Sequence, residues 1–325
     1  MKIIQITNTY KGDVLEIVKK HVPEGFEIRT LSENSVDELE KNVSDADYIL
    51  ASGRVKIDER VLANAPKLKM IQRTGVGIDT LDLAALNNHN IPVYVNKGVN
   101  SQSVAEHSVL MILACLRKLS IINDNTKKGI WKKQAQGITT FELCGKKVGM
   151  LGMGNIGQKT ARLISAFGAQ IIYYDKYRQP EELEKELGIK YDTLENVLKN
   201  ADIVSLHCPL TEDTRHVINS ESIALMKDGV VIVNTARGSL IDEEALYNAI
   251  KNGKVAYAGL DVHEKEPIPE DDKLMACDNI IVTPHIGGVT YDSFDAMMKA
   301  AMRNIELFDS GRLDEIKELK LKVEA

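Results

Sequence analysis

Short apolar runs alternate with amphipathic stretches along almost the whole chain. In the first third, residues 2–7, 26–29, 48–50, 69–72 and 92–95 have the length and residue types of buried strands. Between them, residues 14–21, 36–41, 59–65 and 83–88 space their apolar positions as helices do. Such alternation predicts a parallel sheet with helices on both faces. The pattern resumes after residue 147. Residues 148–151, 170–175, 201–207, 229–234, 256–261 and 279–283 read as six further strands, the number that two mononucleotide-binding halves require. Residues 158–167, 180–187 and 193–199 read as helices among them. An amphipathic helix over 291–310 is expected to lead back to the first domain.

Residues 101–119 form a long helix candidate, apolar nearly all round in its second half, and so expected to be buried between elements or subunits. His107, near its polar start, reads either as a catalytic group or as a hydrogen-bonded histidine between domains. Residues 120–144 are polar, hold the only tryptophan, Trp131, and show no strong periodicity. Connections this long are usually functional or interfacial, and this one reads as a dimer arm.

The strand at 148–151 runs into Gly152-Met-Gly154-Asn155-Ile156-Gly157, a G-x-G-x-x-G turn ahead of a helix. The first glycine suits a tight turn, the second admits a pyrophosphate, and the third lets helix and strand pack closely. The helix N-terminus then presents N–H groups and a positive dipole end to phosphates. The next strand ends in Asp175, where a carboxylate accepts from both ribose hydroxyls and repels a 2′-phosphate; NAD is therefore expected rather than NADP. Arg178 qualifies this, either swinging toward a 2′-phosphate or standing as a solvated loop arginine.

The first domain carries no such loop. Its notable turn is Thr74-Gly75-Val76-Gly77-Ile78-Asp79, read either as an anion nest suited to a substrate carboxylate or as a plain strand-to-helix turn.

Composition narrows the partners. At 325 residues, 44% of them hydrophobic, the chain can form about two domains with cores of their own. A net charge of −6 argues against nucleic acid, and the short basic tail at 317–322 is too mixed with glutamate to reverse that. The four cysteines show neither C-x-x-C nor zinc spacing, so no metal is expected and free thiols in a reducing compartment are. Residues 1–7 look like a strand rather than a secretory leader. The longest apolar run, 109–116, is far short of the ~20 residues that span a bilayer. A soluble, cytoplasmic protein without a membrane partner is expected.

Three polar groups follow strands of the second half: Arg237, Glu266 and His285. Ligands of doubly wound sheets lie outside the carboxyl ends of the strands, so these loops can converge on one site. The three side chains form a working set for carbonyl reduction. An imidazolium protonates the oxyanion as hydride arrives, a carboxylate orients the ring and stabilises its charged form, and a guanidinium clamps a planar carboxylate. Bland alternatives stand beside each: His285 packed in a turn before Gly287-Gly288, and Glu266 on a solvated acidic loop with Glu264, Glu270, Asp271 and Asp272. Pro267 stiffens the chain beside Glu266 alone.

The chain resembles the D-isomer-specific 2-hydroxyacid dehydrogenases in Gly75-Val-Gly-Ile-Asp79, Ser103-Val-Ala-Glu106, the Gly152–Gly157 turn, Leu206-His-Cys-Pro-Leu-Thr211, Asn234-Thr-Ala-Arg-Gly238, Gly259-Leu-Asp-Val262, Glu266-Pro267 and Thr283-Pro-His-Ile-Gly-Gly288. They stand in family order from the first third to the last tenth. The resemblance implies an α/β protein of two doubly wound parallel-sheet domains. A Rossmann NAD-binding domain (residues 99–289, with dimer helix and arm at 101–145) would be inserted in a flavodoxin-like substrate domain (1–98 with 290–325), and the reaction would run in the cleft between them.

The same resemblance implies roles. Arg237 binds substrate, Glu266 partners the acid/base histidine, His285, and the backbone of Val76 and Gly77 takes the substrate carboxylate. Gly152, Gly154, Asn155, Ile156, Gly157, Asp175, His207, Cys208, Pro209, Thr235, Ala236, Asp261, His285 and Gly287 contact NAD, with Asp261 meeting the nicotinamide carboxamide and 207–209 lying against the adenosine. The implied activity interconverts a short D-2-hydroxy acid and its 2-oxo acid, as a homodimer. D-3-phosphoglycerate and hydroxypyruvate or glyoxylate are the candidate substrates; an NAD-responsive corepressor on the same fold is the alternative. Phosphoglycerate dehydrogenases of this type commonly carry an arginine where Ser52 stands here, with Arg54 two residues on, and Lys97, in place of a frequent proline, could supply the charge instead. No appended regulatory domain is expected after residue 325.

Overall fold

A computed structural model describes residues 1–321. The chain forms two compact units, Met1–Asn100 with the segment that begins at Tyr291, and Ser101–Thr290. In the first, β1 (Lys2–Ile6), β2 (Phe26–Arg29), β3 (Tyr48–Ala51), β4 (Met70–Arg73) and β5 (Val93–Tyr94) pair in parallel in the order β2-β1-β3-β4-β5. Successive side chains leave opposite faces of a strand. Ile49 and Ile71 accordingly join one core with Leu39, Val61 and Leu86, while Tyr48, Leu50 and Met70 join another with Met298, Ala301 and Ile305. Met298, Ala301 and Ile305 lie on helix Tyr291–Asp309, so this helix packs against the first sheet. The basic stretch read at 317–322 includes a 3₁₀ turn, Lys317–Leu319, and ends in Lys322, outside the described residues.

The second unit contains β6 (Lys147–Leu151), β7 (Gln170–Tyr174), β8 (Ile189–Tyr191), β9 (Ile203–Leu206), β10 (Val230–Asn234), β11 (Val255–Leu260) and β12 (Ile280–Val282), all parallel, in the order β12-β11-β10-β9-β6-β7-β8. There are seven strands, one more than the pattern predicts. The extra one, β8, has three residues at the sheet edge, too few for a period-2 signal. The order reverses between β6 and β9, and the loops after these two strands open a crevice there.

The long helix spans Ser101–Leu116, ending before the expected Leu119 because Lys118 takes a left-handed backbone, φ +50°. It packs on helix Asn155–Ala166 and on β10 and β11. The polar stretch beyond is more ordered than its composition suggests, with helices Leu119–Lys127 and Lys133–Gly137. Among the described residues no helix is long and apolar enough to cross a membrane.

Candidate active site

The glycine turn sits at the reversal of strand order. Gly152 follows β6 with φ +99°, and a Cβ there would lie 2.5 Å from the Cys208 nitrogen and 2.6 Å from the His207 carbonyl carbon. Only glycine lets the ends of β6 and β9 approach so closely. A Cβ on Gly157 would meet the Gly152 oxygen at 2.5 Å, so the third glycine seats the helix on the turn. Gly154 differs from both: a Cβ there would meet nothing within 4 Å. It is the N-cap of helix Asn155–Ala166, and no side chain caps that helix. The helix therefore begins with N–H groups that its cap residue leaves to other acceptors, beside open space. A pyrophosphate fits that cradle. Asn155 and Ile156 open the helix.

Asp175 is drawn to the same turn. Its Oδ2 accepts from the Met153 N–H at 2.7 Å and its Oδ1 from the Tyr177 N–H at 3.0 Å, leaving lone pairs for a diol. Arg178, read as either able to swing toward a 2′-phosphate or solvated, is instead paired with a carboxylate. Its Nε and Nη2 donate to Glu184 at 2.9 and 2.8 Å.

On the β9 side, His207 Nε2 lies 2.9 Å from Ser205 Oγ, and its Nδ1 is a buried atom without a partner among the described residues. Burial pushes the imidazole down to about 4, so it is neutral at physiological pH. Burial likewise pushes the Cys208 thiol up to about 11. Pro209 is exposed, and its carbonyl accepts from Thr214 Oγ1 at 2.7 Å.

The three candidate catalytic side chains follow adjacent strands. After β10, the buried Asn234 fastens its own loop: Oδ1 accepts from the Ala236 N–H at 3.0 Å, and Nδ2 donates to the Arg237 carbonyl at 2.8 Å. Thr235 Oγ1 is tied to Ser108 Oγ at 2.7 Å, and the Arg237 Nη1 donates to the Ala236 carbonyl at 2.6 Å. Gly238 lies against the loop after β11 so closely that a Cβ would stand 1.9 Å from the His263 carbonyl carbon. In that second loop Glu266 Oε1 accepts from the His263 N–H at 3.1 Å, and its Oε2 lies 2.8 Å from His285 Nδ1, in the loop after β12. Burial pushes the Glu266 carboxyl upward, but the His285 hydrogen bond and charge, with the His263 N–H, bring it below its ordinary value. An ionised carboxylate only accepts, so Nδ1 carries the proton and Nε2 is left for a ligand. The pair is half-exposed, at 48% and 37% of the two side chains.

His285 has φ +54°, uncommon for a side chain of this kind. Its N–H donates to the carbonyls of Asp261 at 2.7 Å and Thr283 at 3.0 Å, which holds the bend. Asp261, 1% exposed, fastens the residues that follow: it accepts from the Ile286 N–H at 2.9 Å, the Gly287 N–H at 2.7 Å and Thr283 Oγ1 at 2.5 Å. Burial raises its carboxyl, yet these donors and His107 bring it below the usual range. His107 Nε2 lies 3.1 Å from Thr283 Oγ1 and 3.4 Å from Asp261 Oδ1. It is thus bonded inside the nucleotide unit rather than between domains. Thr283 and Asn234 open motifs that carry the family resemblance but receive no role from it, and Glu184 is not singled out in the sequence at all. An amide at a strand end directly before a polar loop is the local signal for Asn234.

In the first unit, Val76 is 51% exposed at the tip of its turn, and Gly77 O accepts from the buried Arg73 Nε at 2.8 Å. Ser52, 7% exposed, lies 3.4 Å from Thr7 Oγ1 through its own hydroxyl. No group of three or more His, Cys, Asp or Glu suited to a metal occurs among the described residues.

A parallel seven-stranded sheet with this turn at its reversal, and a histidine–carboxylate pair beyond adjacent strand ends, suits a nicotinamide-dependent dehydrogenase. The family model for the D-isomer specific 2-hydroxyacid dehydrogenase NAD binding domain matches residues 109–287. A hydroxypyruvate reductase of Thermotoga maritima is 44% identical over 260 residues, 79% of this chain and 83% of that protein. A D-3-phosphoglycerate dehydrogenase of Methanocaldococcus jannaschii is 38% identical over 96% of this chain, which spans 58% of its length. The structure of a D-lactate dehydrogenase from Aquifex aeolicus, complexed with NAD and lactic acid, superposes with a TM-score of 0.86 at 32% identity, covering 100% of both chains. The chain belongs to the D-isomer-specific 2-hydroxyacid dehydrogenase family. It is an NAD-dependent oxidoreductase.

Proposed function

We propose that the protein reduces a short, unphosphorylated 2-oxo acid of the glyoxylate or hydroxypyruvate type to its 2-hydroxy acid, the D form where the product is chiral, and that Arg237, Glu266 and His285 carry the reaction. The contact from His285 Nδ1 to Glu266 Oε2, 2.8 Å, carries this reading. It keeps Nδ1–H on the carboxylate, which stabilises the imidazolium, and in that form Nε2–H gives its proton to the carbonyl oxygen and leaves the neutral ring. When bound, the nicotinamide supplies the hydride. Arg237 holds the substrate carboxylate and polarises the carbonyl beside it. By the family resemblance, the backbone turn at Val76 and Gly77 takes a substrate carboxylate. Asp261 acts on the cofactor's carboxamide side through the loop it fastens, at Ile286 and Gly287.

By the family resemblance, Ser52 stands where phosphoglycerate dehydrogenases of this type commonly carry an arginine, which supports a substrate without a phosphate. Oxidation of NADH with glyoxylate, hydroxypyruvate, pyruvate and 3-phosphohydroxypyruvate tests the reading. A preference for the phosphorylated acid overturns the substrate assignment, and no turnover with any of them overturns the activity. The apolar side chains exposed on the long helix and arm, among them Leu110, Leu119, Trp131, Ile138 and Phe141, support a homodimer through that surface. The four free thiols suit a reducing cytoplasm.

A further inference from the structure

NAD and NADP differ only in a phosphate on the adenosine ribose, so cofactor choice is decided in the loop after β7. Two cations follow Asp175 in that loop, and both are engaged by carboxylates. Lys176 Nζ pairs with Asp213 at 2.9 Å. Arg178 makes the two-point contact with Glu184, and its guanidinium lies 5.5 Å from the centre of the Tyr191 ring. Tyr191 belongs to β8, which pairs with β7 on the side away from β6 and its glycine turn. The arginine is therefore anchored toward the outer edge of the sheet.

We propose that Glu184 is a specificity-determining residue: it holds Arg178 away from the place a ribose 2′-phosphate would occupy, and so enforces the choice of NAD. Glu184 is itself locked, 8% exposed, with Oε1 also accepting from the Tyr173 hydroxyl at 2.7 Å. That hydroxyl accepts in turn from the Gln179 N–H at 2.9 Å, fixing the loop on both sides of Arg178. A 2′-phosphate that recruited Arg178 would have to break a bidentate pair and leave a mostly buried carboxylate without its cation. Asp175 repels the phosphate and Glu184 withholds the charge that would attract it. The carboxyl of Glu184, brought down to about 2 chiefly by the Arg178 hydrogen bond, stays ionised throughout the physiological range.

The proposal rests on the assignment of Asp175 to the ribose, and the test separates the two. NADH and NADPH are titrated against the full-length chain and its variants, following nicotinamide fluorescence. Glu184→Gln should raise the ratio of NADPH to NADH affinity by on the order of tenfold, about 1.4 kcal/mol. Adding Arg178→Ala should abolish that gain. In an Asp175→Ser background with Glu184 intact, Arg178→Ala should leave NADPH affinity as it was, because a locked arginine gives nothing to the phosphate. An unchanged ratio in a folded Glu184→Gln protein overturns the proposal. So does loss of NADPH affinity when Arg178 is removed with Glu184 in place, a comparison that alters an exposed side chain and decides the matter if Glu184→Gln does not fold. If Asp175→Ser leaves the ratio unmoved while Glu184→Gln raises it, the ribose assignment fails and the lock stands.

Discussion

His285 and Glu266 follow different strands, β12 and β11, yet the Nδ1 of one lies 2.8 Å from the Oε2 of the other. The contact leaves one ring nitrogen to meet a substrate. Replacing His285 with alanine should lower kcat by on the order of 10²–10⁴, the usual contribution of a positioned acid. NADH affinity should be largely retained. Undiminished turnover removes the imidazole from the reaction.

Arg237→Ala should act on the other side of the reaction. Loss of a charge-assisted contact of about 1.5–3 kcal/mol corresponds to a rise in KM for the 2-oxo acid of roughly ten- to a hundredfold. Steady-state kinetics in both substrates checks this. A change confined to the cofactor would mean that the guanidinium does not hold the substrate.

Gly154 offers a separation of folding from binding. A methyl group there meets no protein atom within 4 Å, and the residue's φ of −74° suits any side chain. Gly154→Ala should therefore melt close to the unaltered protein while binding NADH more weakly, because the methyl fills the cradle beside the helix start. Calorimetry with and without NADH measures both. Equal NADH affinity places the pyrophosphate elsewhere.

The Glu184 carboxyl, brought from 4.5 to about 2, makes stability depend on pH with a definite sign. A depressed carboxyl stabilises the fold fully above its unfolded value, and that contribution is lost as the pH falls through the folded one. The stability difference between the unaltered chain and Glu184→Gln should thus be constant near neutrality and shrink below about pH 4.5. Urea titrations from pH 7 to about pH 3 follow it. A difference that grows on acidification contradicts the assigned pair.

The arm tests the assembly. Trp131, 81% exposed, and Ile138, 82% exposed, should lie in the contact of a homodimer. Trp131→Asp with Ile138→Asp should shift the mass measured by light scattering from dimer to monomer. A monomeric unaltered chain, or a dimer indifferent to both changes, rules out this surface.

Much of this architecture was legible in the residues because it rests on local rules. Val230–Asn234 is a compact apolar run and Phe26–Arg29 alternates apolar with charged positions, so the placement of both follows from local pattern. The glycine turn was readable because backbone geometry dictates residue type: Gly152 needs φ +99° and Gly157 abuts a carbonyl oxygen. What escaped depends on tertiary contacts. Strand β8 is too short to show a period and is defined by pairing with β7. The bond between Arg178 and Glu184 joins a loop to the next helix, and no spacing rule distinguishes it from two solvated charges. His107 finds its partners, Thr283 and Asp261, more than 150 positions away; its sequence neighbours do not announce them.

The contact between Gly238 and the His263 backbone bears on how such a protein can change its diet. Two of the three proposed reactive side chains hang from loops that interlock at this point, so displacing one displaces the other. Evolution, or a protein engineer, inherits them as a single casting.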